Sequence, residues 1–253
     1  RWGWRQPITQ APAPLYSFPT NCLTRGPDGR LHLVVEFYKT FPQNRDYPRT
    51  SAVTHLESPD DGVTWYHDDG REIKQMPVGL EDCAFIDYEA AGDLRPDDIL
   101  PLADGRLLAG LWNSRTHCAR LHVRTAPGQW QAVDLTAEFT QRSGLPKITS
   151  QLRLTRDADG SVLVVTTMSS EPGWASPKNQ LMILWLDPAT LEVRRHYLHP
   201  QAIPDQSNWL ASVERTADCQ PPTQSPLILF TEGTRGEGCI NAAVCRVRVL
   251  KLG

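Results

Sequence analysis

The stretch Ser58-Pro59-Asp60-Asp61-Gly62-Val63-Thr64-Trp65, SPDDGVTW, lies between two strand-like runs, TSAVTHLE before it and TWYHDD across its end. A turn between strands leaves backbone N–H groups to satisfy, and an aspartate side chain can accept from them. Gly62 can supply the left-handed residue such a turn needs. Thr64 then opens the next strand, and Trp65 offers a large ring to wedge against a neighbouring layer. Turn chemistry thus accounts for Ser58, Asp60, Gly62, Thr64 and Trp65 without any catalytic role. A worn copy follows in Ala126-Pro127-Gly128-Gln129-Trp130. A motif that recurs in the same kind of corner is architectural.

Working outward, Asp-Gly turns punctuate the chain. Asp28-Gly29-Arg30 leads into LHLVVEFY, Asp104-Gly105-Arg106 into LLAGLWN, and Asp159-Gly160-Ser161 into VLVVTTM. Asp-Gly is the strongest short hairpin signal, because glycine takes positive φ without a Cβ clash. A fourth run, PLILFTEG, lacks the Asp-Gly turn. Further strand-like runs follow each: SAVTHLES and TWYHDD, ARLHVRT and QWQAVDL, LMILWLD and LEVRRHYL, then AAVCRVRVLKL. Helical periodicity is hard to find. The expected fold is therefore an all-β propeller with about four four-stranded blades. Its units fall near 17–73, 84–136, 150–199 and 206–252, a spacing of roughly 50 to 75 residues that suits propeller blades. The opening RWGWRQPI reads as an outer strand.

The bulk numbers narrow the function classes. The chain has 253 residues, 40% hydrophobic and 22% charged, with a formal net charge of -3. No basic field argues for a nucleic-acid partner, and no apolar run is long enough to span a membrane. The chain opens on Arg1 without a signal-peptide core, which reads as a processed chain or fragment. Six cysteines are present without a CxxC pair. No metal and no cofactor are expected on that basis, and buried free thiols are expected over disulfides.

SPDDGVTW carries the S-x-D-x-G-x-T-W signature of the BNR or Asp-box repeat. Across Tyr16 to Pro77, with FPTNCL, GPDGRLHLVV and SPDDGVTWYHDDGREI, the chain resembles the BNR repeat-containing family. That family is similar in fold to sialidases, with ulvan-lyase-type polysaccharide lyases related to it. The resemblance covers about the first third of the chain, with one intact Asp box; the Arg-Ile-Pro-like motif of sialidases is absent. It implies a six- or seven-bladed ring, of which four blades are visible here, with a carbohydrate site on one face.

In an antiparallel meander the one-to-two and three-to-four turns share one face, and the two-to-three and blade-to-blade connections share the other. Long loops on a rigid scaffold are where binding groups gather. The second face collects Arg45, Tyr47 and Arg49, then Arg115 and His117, then Trp174, Trp209, Glu232 and Arg235. Arginine grips a carboxylate with two parallel hydrogen bonds, and tryptophan offers a flat surface for a sugar ring. The expected partner is an acidic oligo- or polysaccharide. Tyr47, His117 and Glu232 are the candidate catalytic residues; Arg45, Arg49, Arg115, Arg235, Trp174 and Trp209 are the candidate substrate-binding residues. Sialidase-type hydrolysis is the first reading. Proton abstraction beside a uronate carboxylate by Tyr or His is the second, and a non-catalytic propeller that binds glycan or protein is the third. A glycan substrate favours secretion or the periplasm. His32 and His122 read as satisfied structural residues within strands, Trp112 and Trp185 as core, and Glu36 as an unexplained charge in a strand.

Overall fold

In the computed structural model of the chain, residues 7–11, 16–18, 23–38, 51–89, 93–172, 176–201, 206–234 and 244–252 are described. The three Asp-Gly turns share one construction. Gly29, Gly105 and Gly160 take φ of 80, 88 and 83°. The preceding aspartate accepts the following N–H in each, from Arg30 at 3.0 Å, Arg106 at 3.1 Å and Ser161 at 2.9 Å.

These turns join the inner strands of successive antiparallel sheets to their second strands. The first sheet holds β1 (Tyr16–Phe18), β2 (Leu23–Arg25), β3 (Leu31–Tyr38), β4 (Ser51–Ser58), β5 (Tyr66–His67) and β6 (Phe85–Glu89). β1 and β2 both pair with β3, and β5 and β6 both pair with β4, so six strands occupy four positions. The second sheet runs β7 (Leu94–Pro101), β8 (Leu107–Asn113), β9 (Cys118–Ala126) and β10 (Gln129–Asp134). The third has β11 (Lys147–Ile148) and β12 (Arg153–Arg156) side by side on β13 (Val162–Ser169), then β14 (Gln180–Leu186) and β15 (Val193–Leu198). The fourth is β16 (Ser207–Val213), β17 (Leu227–Thr234) and β18 (Val244–Lys251), three strands among the described residues where four were expected. The inner strands follow one another, with β7 packed on β2, β12 on β7 and β16 on β12. This is a four-bladed propeller arrangement.

The unbroken apolar runs have a physical cause. A strand buried on both faces has no reason to alternate apolar with polar. All eight positions of β13 are buried. Val162, Val164 and Met168 join a core shared with the second sheet, whereas Leu163 and Val165 join one shared with the fourth. Val34, Val53, Ile99 and Ala109 fill the space between the first and second sheets. Gly110 belongs to the same logic, because an added Cβ would stand 3.1 Å from Leu152 Cβ of the next sheet.

One helix, α1 (Thr136–Ser143), escaped the sequence reading. It is two turns long, its single buried residue is Phe139, and Gly144 ends it at φ 68°. Among the described residues no helix is long and apolar enough to cross a membrane. Cys83, Cys118, Cys219 and Cys245 are free thiols; Cys22 and Cys239 lie outside the described residues. Burial pushes the Cys83 thiol up to about 11.

The corner at Ser58–Trp65 is closed by its own residues. Asp60 Oδ1 accepts from Thr64 N–H at 2.7 Å, and Ser58 Oγ accepts from Gly62 N–H at 2.8 Å. Gly62 sits at φ 88°, and Trp65 Nε1 donates to its carbonyl at 3.0 Å. The Trp65 ring clusters with Leu33, Val35 and Leu56 of its own sheet and with Ile8, Ile73 and Met76. It thus covers its own sheet, where a wedge against the neighbouring layer was expected.

Candidate functional site

Charge inside the second sheet's inner strand locates the site. β7 and the residue before it read Asp93-Leu94-Arg95-Pro96-Asp97-Asp98, and Asp93, Asp97 and Asp98 are all buried. A register shift between Pro96 and Asp98 makes Asp97 the extra residue of a bulge, and bulges re-aim side chains. Arg95 lies 3.1 Å from Asp93 and 3.8 Å from Glu36 of β3. Glu36, the strand charge unexplained in the sequence, is fully buried here.

Beside this cluster opens a cavity of about 370 Å³, lined by Arg95, Trp112, Ser114, Ser150, Gln151, Arg153, Leu210 and Ala211. These residues come from the inner strands β7, β12 and β16, from the end of β8 and from the chain beside them, so the second, third and fourth sheets converge on it. Asp93 precedes β7, Ser114 follows β8, and Ser150 and Gln151 precede β12. The cavity therefore lies on the face that carries the two-to-three and blade-to-blade connections.

Arg153 fastens the three inner strands. Its Nε donates to Ala211 O at 3.1 Å, one terminal nitrogen to Asp97 O at 2.7 Å, and the other to Gln151 Oε1 at 3.4 Å. Asp97 accepts the Leu152 N–H at 3.2 Å through Oδ2. Its Oδ1 has no hydrogen-bond partner among the described residues. Burial pushes this carboxyl well above the ordinary carboxylate range, against the pull of Arg153. A guanidinium paired with two carboxylates and neutral hydrogen-bonding groups thus line one cavity, and the buried Asp97 carboxyl lies behind the Arg153 that lines it.

A larger cavity, about 560 Å³, lies by the first sheet and is lined by His67, Arg71, Glu72, Glu81 and Asp82 among others. Its charged lining is mostly exposed, and among the described residues no buried ion pair lies in its lining. The axial cavity is the stronger candidate on that physical ground, despite its smaller size.

The sequence-derived candidates are distributed as follows. His117 sits at φ 59°, and its Nδ1 meets Ile148 O at 3.0 Å. Trp112 Nε1 donates to the same carbonyl at 3.2 Å, so both side chains tie the second sheet to the third. Trp112 and Trp185 join core clusters, as expected. Glu232 is buried on β17 and accepts two hydrogen bonds from Arg248, at 2.9 and 2.6 Å. Trp209 is half-buried on β16, paired in register with Thr231. Arg115 is exposed in the turn after β8 and is not among the residues lining the cavity. Arg45, Tyr47, Arg49, Trp174 and Arg235 lie outside the described residues. Arg95, Asp93, Asp97 and Arg153 were missed. The available signal was the stretch Asp93–Asp98, because four charges within six residues of a strand cannot all face water.

No family model matches the chain, and no curated protein matches it. Among solved structures, a GH43 β-1,3-galactosidase aligns with TM-score 0.44 at 10% identity over 87% of this chain and 44% of its own. A second GH43 β-1,3-galactosidase, with galactodeoxynojirimycin, aligns at 0.43 and 11% over 87% of this chain and 74% of its own. An exo-β-1,3-galactanase from Clostridium thermocellum aligns at 0.29 and 11% over 94% and 63%. The chain spans less than half the length of the first of these. At this degree of likeness the chemistry has to be read from the site itself.

Proposed function

We propose that the chain is a carbohydrate-active propeller that takes an acidic sugar unit in the axial cavity and hydrolyses its glycosidic bond. The observation that carries this reading is Arg95, a cavity-lining guanidinium held by Glu36 and Asp93. A guanidinium fixed in orientation is prepared for two parallel hydrogen bonds to a sugar carboxylate. Ser114, Ser150 and Gln151 supply partners for hydroxyl groups, and Trp112 and Leu210 supply apolar wall. Asp93, which pairs with the cavity-lining Arg95 and Ser114, serves as the acid–base group in this reading, with Asp97 as a second carboxyl whose proton burial favours. Arg115, exposed in the turn after β8 on the same face, belongs to the rim in this reading, and Arg45, Tyr47, Arg49, Trp174 and Arg235 stay candidate sugar contacts within the proposal. His117 and Glu232, committed to Ile148 O and Arg248, position the elements that carry them.

The test is titration calorimetry with matched acidic and neutral oligosaccharides, followed by assay of reducing ends. Wild type is expected to bind the acidic member. Arg95→Lys keeps the charge and loses the paired geometry, so it should weaken that binding by about 1.5 to 3 kcal/mol. Neutral sugar binding should not change. New reducing ends without new ultraviolet absorbance mark hydrolysis, whereas new absorbance marks elimination and replaces the hydrolase reading with a lyase. Failure to bind any glycan overturns the proposal.

A further inference from the structure

On the opposite face, where the Asp28-Gly29 and Asp104-Gly105 turns lie, two buried histidines meet in a way the axial site does not use. His32 on β3 is directly opposite Glu57 on β4, and His55 is two residues from Glu57. A direct cross-strand pair and its diagonal neighbour project from the same side of a sheet. His32 Nδ1 and His55 Nε2 lie 3.2 Å apart. One ligand-type atom from each of His32, His55 and Glu57 falls within 4.8 Å of the others. A cavity of about 300 Å³, lined by Asp28, Arg30, His32, Glu57 and Arg124 among others, opens beside them.

The protons are constrained by the neighbours. Asp68 Oδ1 lies 2.7 Å from His55 Nδ1, and Asp68 also accepts from Trp130 Nε1 at 2.7 Å and carries the Arg124 ion pair. An ionised carboxylate only accepts, so His55 Nδ1 bears the hydrogen and Nε2 presents a lone pair toward His32. His32 Nε2 is buried without a hydrogen-bond partner among the described residues, 3.6 Å from Asp28 Oδ1. A hydrogen on Nε2 would face that carboxylate and turn a second lone pair, on Nδ1, toward His55.

We propose that His32 Nδ1, His55 Nε2 and the Glu57 carboxylate form a binding site for a zinc-type divalent transition metal. Two nitrogens at 2.0–2.1 Å from a tetrahedral zinc stand about 3.3–3.4 Å apart, close to the separation present. Each ligating ring then directs its other N–H at a carboxylate, Asp68 for His55 and Asp28 for His32, the arrangement that fixes metal-bound imidazoles. The cavity gives a fourth ligand, water, a way in. Arg30 and Arg124 each donate to one oxygen of Glu57, at 3.1 and 3.2 Å. They orient that carboxylate, and a second lone pair on each oxygen is still available to the metal. Counting Asp28, Glu57 and Asp68 against Arg30 and Arg124 leaves one formal negative charge before a cation arrives. CxxC spacing could not reveal such a site, because its ligands are brought together by strand pairing.

The experiment titrates chelator-treated full-length chain with zinc alone, by calorimetry and by thermal melting. Cobalt(II) absorption spectra report the coordination geometry. The expected result is one zinc per chain, a raised melting temperature and a tetrahedral cobalt spectrum. His32→Ala and His55→Ala should abolish binding. Asp28→Asn, at an exposed turn position that leaves all three ligands in place, should weaken it about 10- to 100-fold. Circular dichroism establishes that each variant is folded, and Asp28→Asn keeps the test decisive if a histidine variant does not fold. Folded wild type that takes up no zinc, or an Asp28→Asn variant with wild-type affinity, overturns the proposal. In that event the contact is an imidazole–imidazole hydrogen bond.

Discussion

Two aspartate-rich stretches of this chain fold by opposite rules. In the corner Ser58–Trp65, the side-chain hydrogen bonds of Ser58, Asp60 and the Trp65 indole nitrogen run to groups within four residues of them. In the strand Asp93–Asp98, Asp93 and Arg95 pair with each other and Asp98 takes the Ile99 N–H, but the other partners come from farther along the chain: Glu36, Ser114, Leu152, Arg153, Leu154 and Arg215. The corner is a self-contained device. The strand is a junction, and its charges exist only because three other sheets bring groups to meet them. Local satisfaction builds scaffold; satisfaction at long range builds a place where charge is buried and poised.

The contrast is broken most severely at Asp98. Its Oδ2 accepts the Leu154 N–H at 2.9 Å, Oδ1 accepts the Ile99 N–H at 3.0 Å, and Arg215 pairs with it from the chain after β16. Asp98→Ala leaves a largely buried guanidinium and two N–H groups without their carboxylate. The expected loss is about 3 to 5 kcal/mol in urea unfolding. A smaller loss than that of a corner variant would refute the ranking of junction over corner.

The corner responds to Ser58→Ala. This removes the acceptor of the Gly62 N–H and a donor to Asp60. An unpaired donor at this half-buried corner costs about 1 kcal/mol, the low end for a buried group. Asp60→Ala should destabilise in the same direction, through loss of the Thr64 N–H contact. Turnover per folded molecule should stay at the wild-type value for both, because the corner lies on the face away from the axial cavity. A corner variant that melts like wild type and yet loses glycan turnover would make the corner part of the site.

The same contrast explains what the sequence made legible. Strands such as VLVVTTM and LMILWL announce themselves because both faces are buried, and the Asp-Gly turns because glycine alone relieves their backbone. α1 was hidden because one residue, Phe139, carries its burial, too little to set a helical period. β6 was hidden because Phe85 and Tyr88 are exposed and Ile86 alone is buried among its apolar residues. At the site, loops rich in arginine drew attention as composition does, whereas Arg95 and Asp97 were passed over. Their meaning rests on a bulge at Pro96–Asp98 and on the register of β3, neither of which a single sequence displays. His32 looked like a satisfied strand histidine because its contact with His55 depends on the pairing of β3 with β4.

The subtlest difference between the two stretches is electrical, and Asp97→Asn measures it. In the corner, hydrogen bonds from Thr64 hold the Asp60 carboxyl below its ordinary range; at the junction, burial holds Asp97 above it. An unfolded Asp97 releases its proton near the ordinary value of 3.8, while the folded chain retains it. Above that pH the folded state binds more protons than the unfolded one, so the Asp97 contribution to stability declines as pH rises toward the folded value. Asparagine cannot titrate, and it keeps an oxygen for the Leu152 N–H. The melting temperature of Asp97→Asn minus that of wild type should therefore increase as pH rises above about 4, until the folded carboxyl itself ionises, with every other carboxylate cancelling in the difference. A difference that is flat or falls over that range would mean Asp97 is ionised in the fold, held by Arg153 and Arg95. The cavity would then carry one more negative charge, and an acidic sugar would be the wrong ligand for it.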